Sequence, residues 1–163
     1  MFRVYVKHPD GSMTDRTTHT APGDAVTAWT ALCLTRTPGP ASAVISGPNL
    51  SGSRCAVLRE ARLDADWPDH NRVLVDEEIP GAWPGLELRA IRKLAGLTQV
   101  QFAKEIHISS NVLAMQERGE CGVGNAVLAL ARYLAPALAQ KGFIALQERA
   151  SVEDLRMALS RIE

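Results

Sequence analysis

Apolar and polar residues alternate at the start of the chain. Phe2, Val4 and Val6 are each separated by one residue, which is the period of a strand with a single buried face. The His-Pro-Asp-Gly sequence at 8–11 has the chemistry of a turn, and a polar, threonine-rich segment over 13–20 follows it. The first twenty residues therefore predict a β-hairpin.

The next segment has the spacing of an amphipathic helix. Thr20 or Asp24 can cap its first turn, and it runs to about Thr35, before the Pro-Gly-Pro sequence at 38–40. Its apolar stripe consists of Ala25, Ala28, Trp29, Leu32 and Cys33. We therefore expect one helix, packed against the hairpin.

Two short apolar segments after this helix predict a second hairpin. They cover 43–46 and 55–58, and the residues between them include the turn formers at 47–52. The order strand, strand, helix, strand, strand predicts a small α+β domain over residues 1–62, with a role in dimerisation, sensing or protein binding.

Residues 63–84 predict an acidic linker that ends in a run of prolines and glycines. The Val-Leu-Val sequence at 73–75 is either a short strand or a packing segment, and the pattern leaves both open. The residues of metal-binding type in the linker are Asp64, Asp66, Asp69 and His70. Their spacing lacks the central glycine of a calcium loop, so we expect a solvated linker with no metal and no cofactor.

Over 85–163, apolar residues again have the spacing typical of amphipathic helices. The side chain of Thr98 can accept a hydrogen bond from an amide two or three residues later, so we expect a helix to begin there. Phe102, Ala103 and Ile106 recur at three- and four-residue spacing, which places them on one face. The small side chain of Ala103 allows a second helix to approach closely.

A second short helix follows a turn at His107 and Ile108. Ser109 can cap it, and Leu113 is expected to point into the core. The residues expected to face outward are Ser110, Asn111, Ala114 and Met115. Two short helices joined by a tight turn predict a helix-turn-helix.

Two sequence strings in this region follow a known pattern. They are Leu97-Thr98-Gln99-Val100-Gln101-Phe102-Ala103 and Glu117-Arg118-Gly119. On these residues the chain resembles the Xre family, the helix-turn-helix proteins of the lambda and 434 repressor type. The flanking segments 86–95 and 125–134 match the first and fourth helices of that family.

The resemblance implies a five-helix, all-α DNA-binding domain over 85–163 that includes a C-terminal helix. It further implies that the helix 109–118 enters the major groove and that Gln99 contacts a phosphate. The alternative for Gln99 is a residue that simply suits the first turn of a helix. The predicted DNA-binding residues are Thr98, Gln99, Ser109, Ser110, Asn111, Ala114, Met115, Arg118, Arg89, Lys93 and Lys104.

Several residues depart from the family pattern or have a plain structural interpretation. His107 replaces the usual glycine of the turn, and Met115 stands where an arginine is frequent. The recognition helix has no cation before Arg118, so Asn111 is the main candidate to read an adenine edge. We expect Glu117 to pair with a basic residue of the first helix and Gly119 to end the recognition helix in a left-handed conformation.

Phosphate contacts must then supply much of the affinity for DNA. The basic residues available are Arg89, Arg92, Lys93, Lys104 and Arg118. The alternative for the first three is a solvated helix face. The 163 residues have a net charge of zero, with about −2 over 1–80 (8 basic, 10 acidic) and +2 over 81–163 (10 basic, 8 acidic). So small an asymmetry favours site-directed binding over a non-specific nucleic-acid binder.

The cysteine and hydropathy patterns indicate a soluble, cytoplasmic protein. Cys33, Cys55 and Cys121 are odd in number and widely spaced, which favours reduced thiols over disulfides. No stretch reaches the roughly 20 apolar residues of a membrane helix.

The C-terminal segment predicts a separate final helix. Ser151 and Asp154 have the spacing of a capping box. The apolar stripe after them consists of Val152, Leu155, Leu159 and Ile162. This stripe packs either on its own subunit or on a second copy of the chain.

The leading hypothesis is a transcriptional regulator, most simply a dimeric repressor of an inverted-repeat operator in double-stranded DNA. The alternative is the antitoxin of a toxin-antitoxin system that represses its own operon, with a toxin as protein partner. An enzyme in the N-terminal domain is disfavoured, because the chain has no nucleophile elbow and no phosphate-binding glycine motif.

Overall fold

The structure is a computed structural model that describes the backbone of residues 1–35, 39–48, 55–64, 73–76 and 83–160. Side chains are described for 1–34, 39–48, 55–64 and 83–142. Within these ranges the chain is a mixed α+β protein, as the sequence predicts.

Five antiparallel strands form one sheet in the order β2-β1-β3-β4-β5. The strands are β1 (Phe2–Lys7), β2 (Met13–His19), β3 (Ser42–Pro48), β4 (Cys55–Arg62) and β5 (Val73–Asp76). Both predicted hairpins, β1–β2 and β3–β4, are confirmed, and β1 pairs with β3 to join them. The predicted count of four strands is wrong, because the Val-Leu-Val sequence of the expected linker pairs with β4 as a fifth strand.

The described helices are α1 (Pro22–Thr35), α2 (Trp83–Leu94), α3 (Gln99–Glu105), α4 (Ser110–Glu117) and α5 (Asn125–Ser160). The prediction of a separate final helix that begins at Ser151 is wrong, because α5 is continuous over 36 residues. The described residues from Trp83 onward therefore form four helices, fewer than the five helices of the predicted layout.

The two breaker residues inside α5 do not end it. Pro136 lies on an exposed position, where water can bond to the carbonyl that the proline leaves without a helical donor. Gly142 is buried, and a Cβ on it would lie 2.5 Å from the carbonyl oxygen of Ala95. Gly142 thus permits close packing of α5 on the end of α2.

Ile162 and the side chains of the predicted stripe at 152–159 lie outside the described residues. No helix in the described part of the chain combines the length and the apolar character needed to cross a bilayer.

The first hydrophobic core lies between one face of the sheet and α1. The predicted stripe of α1 is confirmed, since Trp29 and Ala25 are fully buried and Leu32 packs against the core. The sheet contributes the alternating residues Phe2, Val4, Val6, Ile45 and Leu58. Trp29 also donates its indole N–H to the carbonyl of Ala43 at 3.1 Å, which satisfies its polar atom within the core.

The second core lies among the helices that follow residue 83. Its buried residues are Leu88, Ile91, Ala95, Phe102, Ala103, Ile106, Leu113, Ala131, Ala135 and Leu138. Helix α2 belongs to both cores, because Trp83 and Ala90 pack into the first and Leu88 and Ile91 into the second. The division into domains at 1–62 and 85–163 stays a prediction. Helix α2 packs against residues of both segments.

A buried ionic cluster lies where α2, α5 and β4 meet. The carboxylate of Glu87 has no solvent exposure and accepts hydrogen bonds from Arg132 Nε at 2.7 Å and Arg132 Nη2 at 2.9 Å. The indole N–H of Trp83 donates to it at 3.0 Å, and Arg59 Nη1 lies 3.6 Å from the same oxygen. Glu87 lies on the apolar stripe of α2, which is the sequence feature that reveals its burial.

Arg59 is held by aromatic rings as well as by charge. Its guanidinium carbon lies 4.3 Å from the ring centroid of Trp83 and 5.1 Å from that of Trp29. The two indoles meet edge to face with centroids 5.4 Å apart. These contacts stabilise the cation where it is shielded from water.

The three cysteines form no disulfide with one another, and their environments differ. Cys33 is buried in the first core, and burial raises the pKa of its thiol well above the ordinary range, with the nearby Glu87 carboxylate adding to the effect. Its thiolate is therefore disfavoured, and Cys33 is an unreactive packing residue. Cys121 is partly buried and Cys55 is exposed.

We predict that Glu87→Ala lowers the free energy of unfolding by about 3–5 kcal/mol, because it removes the buried carboxylate that pairs with both the buried Arg59 and the partly buried Arg132. Urea denaturation followed by circular dichroism measures this. The matched control is Glu120→Ala, which removes a half-exposed partner of Arg118 and should leave the urea midpoint near that of the unmodified protein. Equal midpoints for the two variants would contradict the structural role of Glu87.

Candidate nucleic-acid interface

Helix α3 begins where the sequence predicts. The Thr98 hydroxyl accepts a hydrogen bond from the backbone N–H of Gln101 at 3.2 Å, and the side chain of Gln101 accepts from the N–H of Thr98 at 2.9 Å. This reciprocal capping box satisfies two amides of the first turn. Thr98 thereby fixes where α3 starts, and its hydroxyl is already engaged within the protein.

The turn after α3 contains a residue with a strained backbone. His107 has φ +58°, in the left-handed region, where the family that this segment resembles usually has glycine. The N–H of His107 bonds to the carbonyl of Lys104 at 3.3 Å and that of Ile108 to the carbonyl of Ala103 at 3.0 Å. These two bonds form a Schellman motif, which closes the end of α3 and directs the chain into α4.

Helix α4 is capped at both ends as predicted. The Ser109 hydroxyl accepts from the backbone N–H of Val112 at 3.2 Å. At the other end Gly119 has φ +75°, and its N–H bonds to the carbonyl of Gln116 at 3.1 Å. The helix is therefore short and has well-defined ends.

The two sides of α4 differ in exposure. Leu113 is fully buried, as predicted, and Gln116 and Glu117 are also buried. Asn111 is exposed, as are Met115 at 40% and Val112 at 39% of their surface. Ser110 and Ala114 are half-buried at the edges of this exposed face. Val112 was absent from the predicted set, although its spacing of three residues from Met115 places the two on one face.

Behind α4, a charged contact fixes it to α2. Glu117 accepts from Arg92 Nε at 2.7 Å and Nη2 at 2.9 Å, and Arg92 Nη1 also donates to the carbonyl of Leu97 at 3.2 Å. The predicted pairing of Glu117 with a basic residue of the first helix is thus confirmed. Arg92 is engaged by these contacts within the chain, and its expected contact with a phosphate stays a prediction. Gln99 Nε2 donates to the same carboxylate at 3.0 Å and is half-buried.

The other predicted basic residues lie in different surroundings. Lys93 and Lys104 are exposed. Arg89 is also exposed, but its Nη1 lies 3.9 Å from the position that a Cβ on Gly23 would take, which places it beside the first turn of α1.

Arg118 donates to Glu120 at 2.6 and 2.9 Å. This pairing raises the pKa of Arg118 and lowers the pKa of Glu120, and it offsets the positive charge at the end of α4.

Of the residues of metal-binding type in the expected linker, only Asp64 lies in the described part of the chain. Asp64 bonds to Arg62, while Asp66, Asp69 and His70 lie outside the described residues. No group of three His, Cys, Asp or Glu side chains among the described residues is placed to hold a metal ion.

Gly85 lets the backbones of α2 and α4 touch. A Cβ at this position would overlap the carbonyl oxygen of Gln116 and lie 2.9 Å from its carbonyl carbon. Only glycine allows so close an approach between the first turn of α2 and the last turn of α4. Together with the Arg92–Glu117 pair, this contact holds α4 at a fixed distance from α2.

We predict that Gly85→Ala destabilises the protein by about 1–3 kcal/mol, since the added methyl forces the two helices apart. In an unobstructed helix the same change would stabilise by about 1 kcal/mol. Thermal unfolding measures the difference. The control is Gly122→Ala, where a Cβ meets no atom within 4 Å. A stabilised Gly85→Ala variant would show that α2 and α4 are not in backbone contact.

Comparisons of the chain with protein-family models, with curated proteins and with solved structures find no match. The resemblance to the Xre family therefore stays a prediction that depends on residues 97–103 and 117–119. Function has to be inferred from the geometry of α2, α3 and α4.

Proposed function

We propose that the chain is a sequence-specific DNA-binding regulator that inserts α4 into the major groove. The observation that supports this most is the exposed face of a short, doubly capped helix, with Asn111, Val112 and Met115 outward and Leu113 anchored in the core. An α-helix fits the width of the major groove, and residues near its N-terminus are the ones that reach base edges.

The chemistry of this face favours A·T over G·C pairs. The Asn111 amide can bond in bidentate fashion to N6 and N7 of adenine, and apolar side chains such as Val112 and Met115 suit the thymine methyl group. Guanine is usually read by an arginine or lysine. The cation of this helix, Arg118, is at its far end and is paired with Glu120.

The affinity of one copy is expected to be modest. Lys104 on α3 and Lys93 on α2 are exposed cations, Arg118 after α4 is paired with Glu120, and the chain as a whole has no net charge. Few phosphate contacts mean little counterion release and weak non-specific binding. We therefore propose a homodimer on an inverted repeat, in which two recognition helices about 34 Å apart address successive major grooves. Occupation of such a site would repress transcription.

We predict that Asn111→Ala weakens binding to the preferred site by about 1–3 kcal/mol, because one bidentate adenine contact is lost, while binding to random DNA stays unchanged. Fluorescence anisotropy on fragments selected from a genomic library measures both. The matched control is Gln140→Ala, which removes an exposed amide from α5. Equal losses on selected and random DNA would contradict base reading by Asn111.

We predict that Lys104→Ala weakens binding to all sequences by a similar factor and lowers the salt slope by about one, as expected for a phosphate contact. Titrations at several salt concentrations measure the slope. Lys141→Ala, on an exposed position of α5, is the control for the loss of one surface charge. An unchanged slope for Lys104→Ala would remove this residue from the interface.

A further inference from the structure

A cavity of about 400 Å³ lies on the sheet at β1, β2 and β3, away from the helices discussed above. Its walls include Arg3, Tyr5, Arg16, Thr17, Thr18 and Ser46. These residues supply two guanidinium groups, a phenol and the hydroxyls of Thr18 and Ser46, while the Thr17 hydroxyl bonds to His19. The residues that line it include no carboxylate.

The strand register gathers these groups on one face of the sheet. Arg3 pairs with Thr18 on β2 and with Ser46 on β3. Directly paired residues of neighbouring strands point to the same side, so two hydroxyls flank the side chain of Arg3. Tyr5 is two residues further along β1 and shares that side.

A bulge in β2 positions the second guanidinium. Val4 pairs with Thr17 and Val6 with Thr14, so two residues of β2, Asp15 and Arg16, lie opposite the single residue between them on β1. Asp15 has φ +51°, a left-handed conformation that costs about 1–3 kcal/mol outside glycine. Bulges redirect side chains and recur beside functional sites. Arg16 precedes Thr18 by two residues on β2, so strand alternation after the bulge places it on the side that carries Arg3.

The cations of this cavity differ from others on the sheet in their partners among the described side chains. Arg16 Nη2 contacts the sulfur of Met13 at 3.2 Å, which is a weak acceptor. Among the residues with described side chains, no carboxylate forms an ion pair with Arg3 or Arg16.

A second cavity on the sheet, of about 350 Å³, has cations that are paired with carboxylates. Its cations Lys7 and Arg62 are paired with Glu60 and Asp64.

We propose that the cavity between β1, β2 and β3 binds a nucleoside monophosphate. The two guanidinium groups and the hydroxyls match the oxygens of a phosphate monoester. The exposed part of the Tyr5 ring offers a surface on which a base can stack. The volume is at the small end of the range for ligand pockets, about 300–1,000 Å³, and so suits a mononucleotide. None of these residues belongs to α2, α3 or α4, so this inference is independent of the proposed function.

Isothermal titration calorimetry with adenosine monophosphate, at low salt and without DNA, tests the proposal. The intact chain should bind the nucleotide, and Arg3→Gln and Arg16→Gln should each weaken binding about tenfold or more, because each loses a charge-assisted contact. The matched control is Arg62→Gln, which removes a guanidinium of the same sheet that is already paired with Asp64. It should leave the affinity unchanged. Circular dichroism melts of all variants verify that they fold.

Two further probes separate the parts of the ligand. Adenosine and inorganic phosphate should each bind at least tenfold more weakly than adenosine monophosphate. Adenosine that binds as well as the nucleotide would overturn the role of the phosphate, and phosphate that binds as well would overturn the role of the base. Absence of heat with adenosine monophosphate at millimolar concentration, or equal losses in Arg3→Gln and Arg62→Gln, would overturn the site itself.

Discussion

The carboxylate of Glu87 is the point on which the rest of the structure depends. An isolated charge without solvent contact costs several kcal/mol, and only well-placed donors and opposite charges offset that cost. Glu87 accepts hydrogen bonds from Trp83 on its own helix and from Arg132 on α5, and it forms an ion pair with Arg59 on β4. Because two of these groups come from distant segments, the sheet, α2 and α5 must take one relative arrangement to satisfy the charge.

Helix α2 transmits this arrangement to the surface proposed to meet DNA. On one side it contributes Trp83 to the core of the sheet, and on the other it binds α4 through Arg92 and Glu117 and through the backbone contact at Gly85. The exposed face of α4 is therefore fixed relative to the sheet through a single rigid element. A recognition surface needs such support, since its side chains must be held within a fraction of an ångström of their target.

Features of the fold that depend on residues close together in the chain, such as helix caps, could be predicted from the sequence. Thr98 and Ser109 cap helices by bonding to amides only three residues away, so their roles follow from a short string of residues. The partners of Glu87 lie up to 45 positions away, and no local pattern identifies them. In sequence, Pro136 and Gly142 are residues that often end a helix. Helix α5 continues through both, because Pro136 is exposed to water and Gly142 packs closely against Ala95. The bulge beside Tyr5 likewise depends on strand register.

The contact of Arg59 with two indole rings has a consequence for how the protein can be divided. Trp29, Trp83 and Arg59 come from α1, α2 and β4. The start of α2 therefore packs against α1 and against the sheet. A fragment that starts at residue 85 would lose both aromatic rings and expose Glu87 to water with half of its counter-charge. Helices α3 and α4 are thus not a portable module, and any specificity that they have for DNA could be transferred to another protein only together with the sheet.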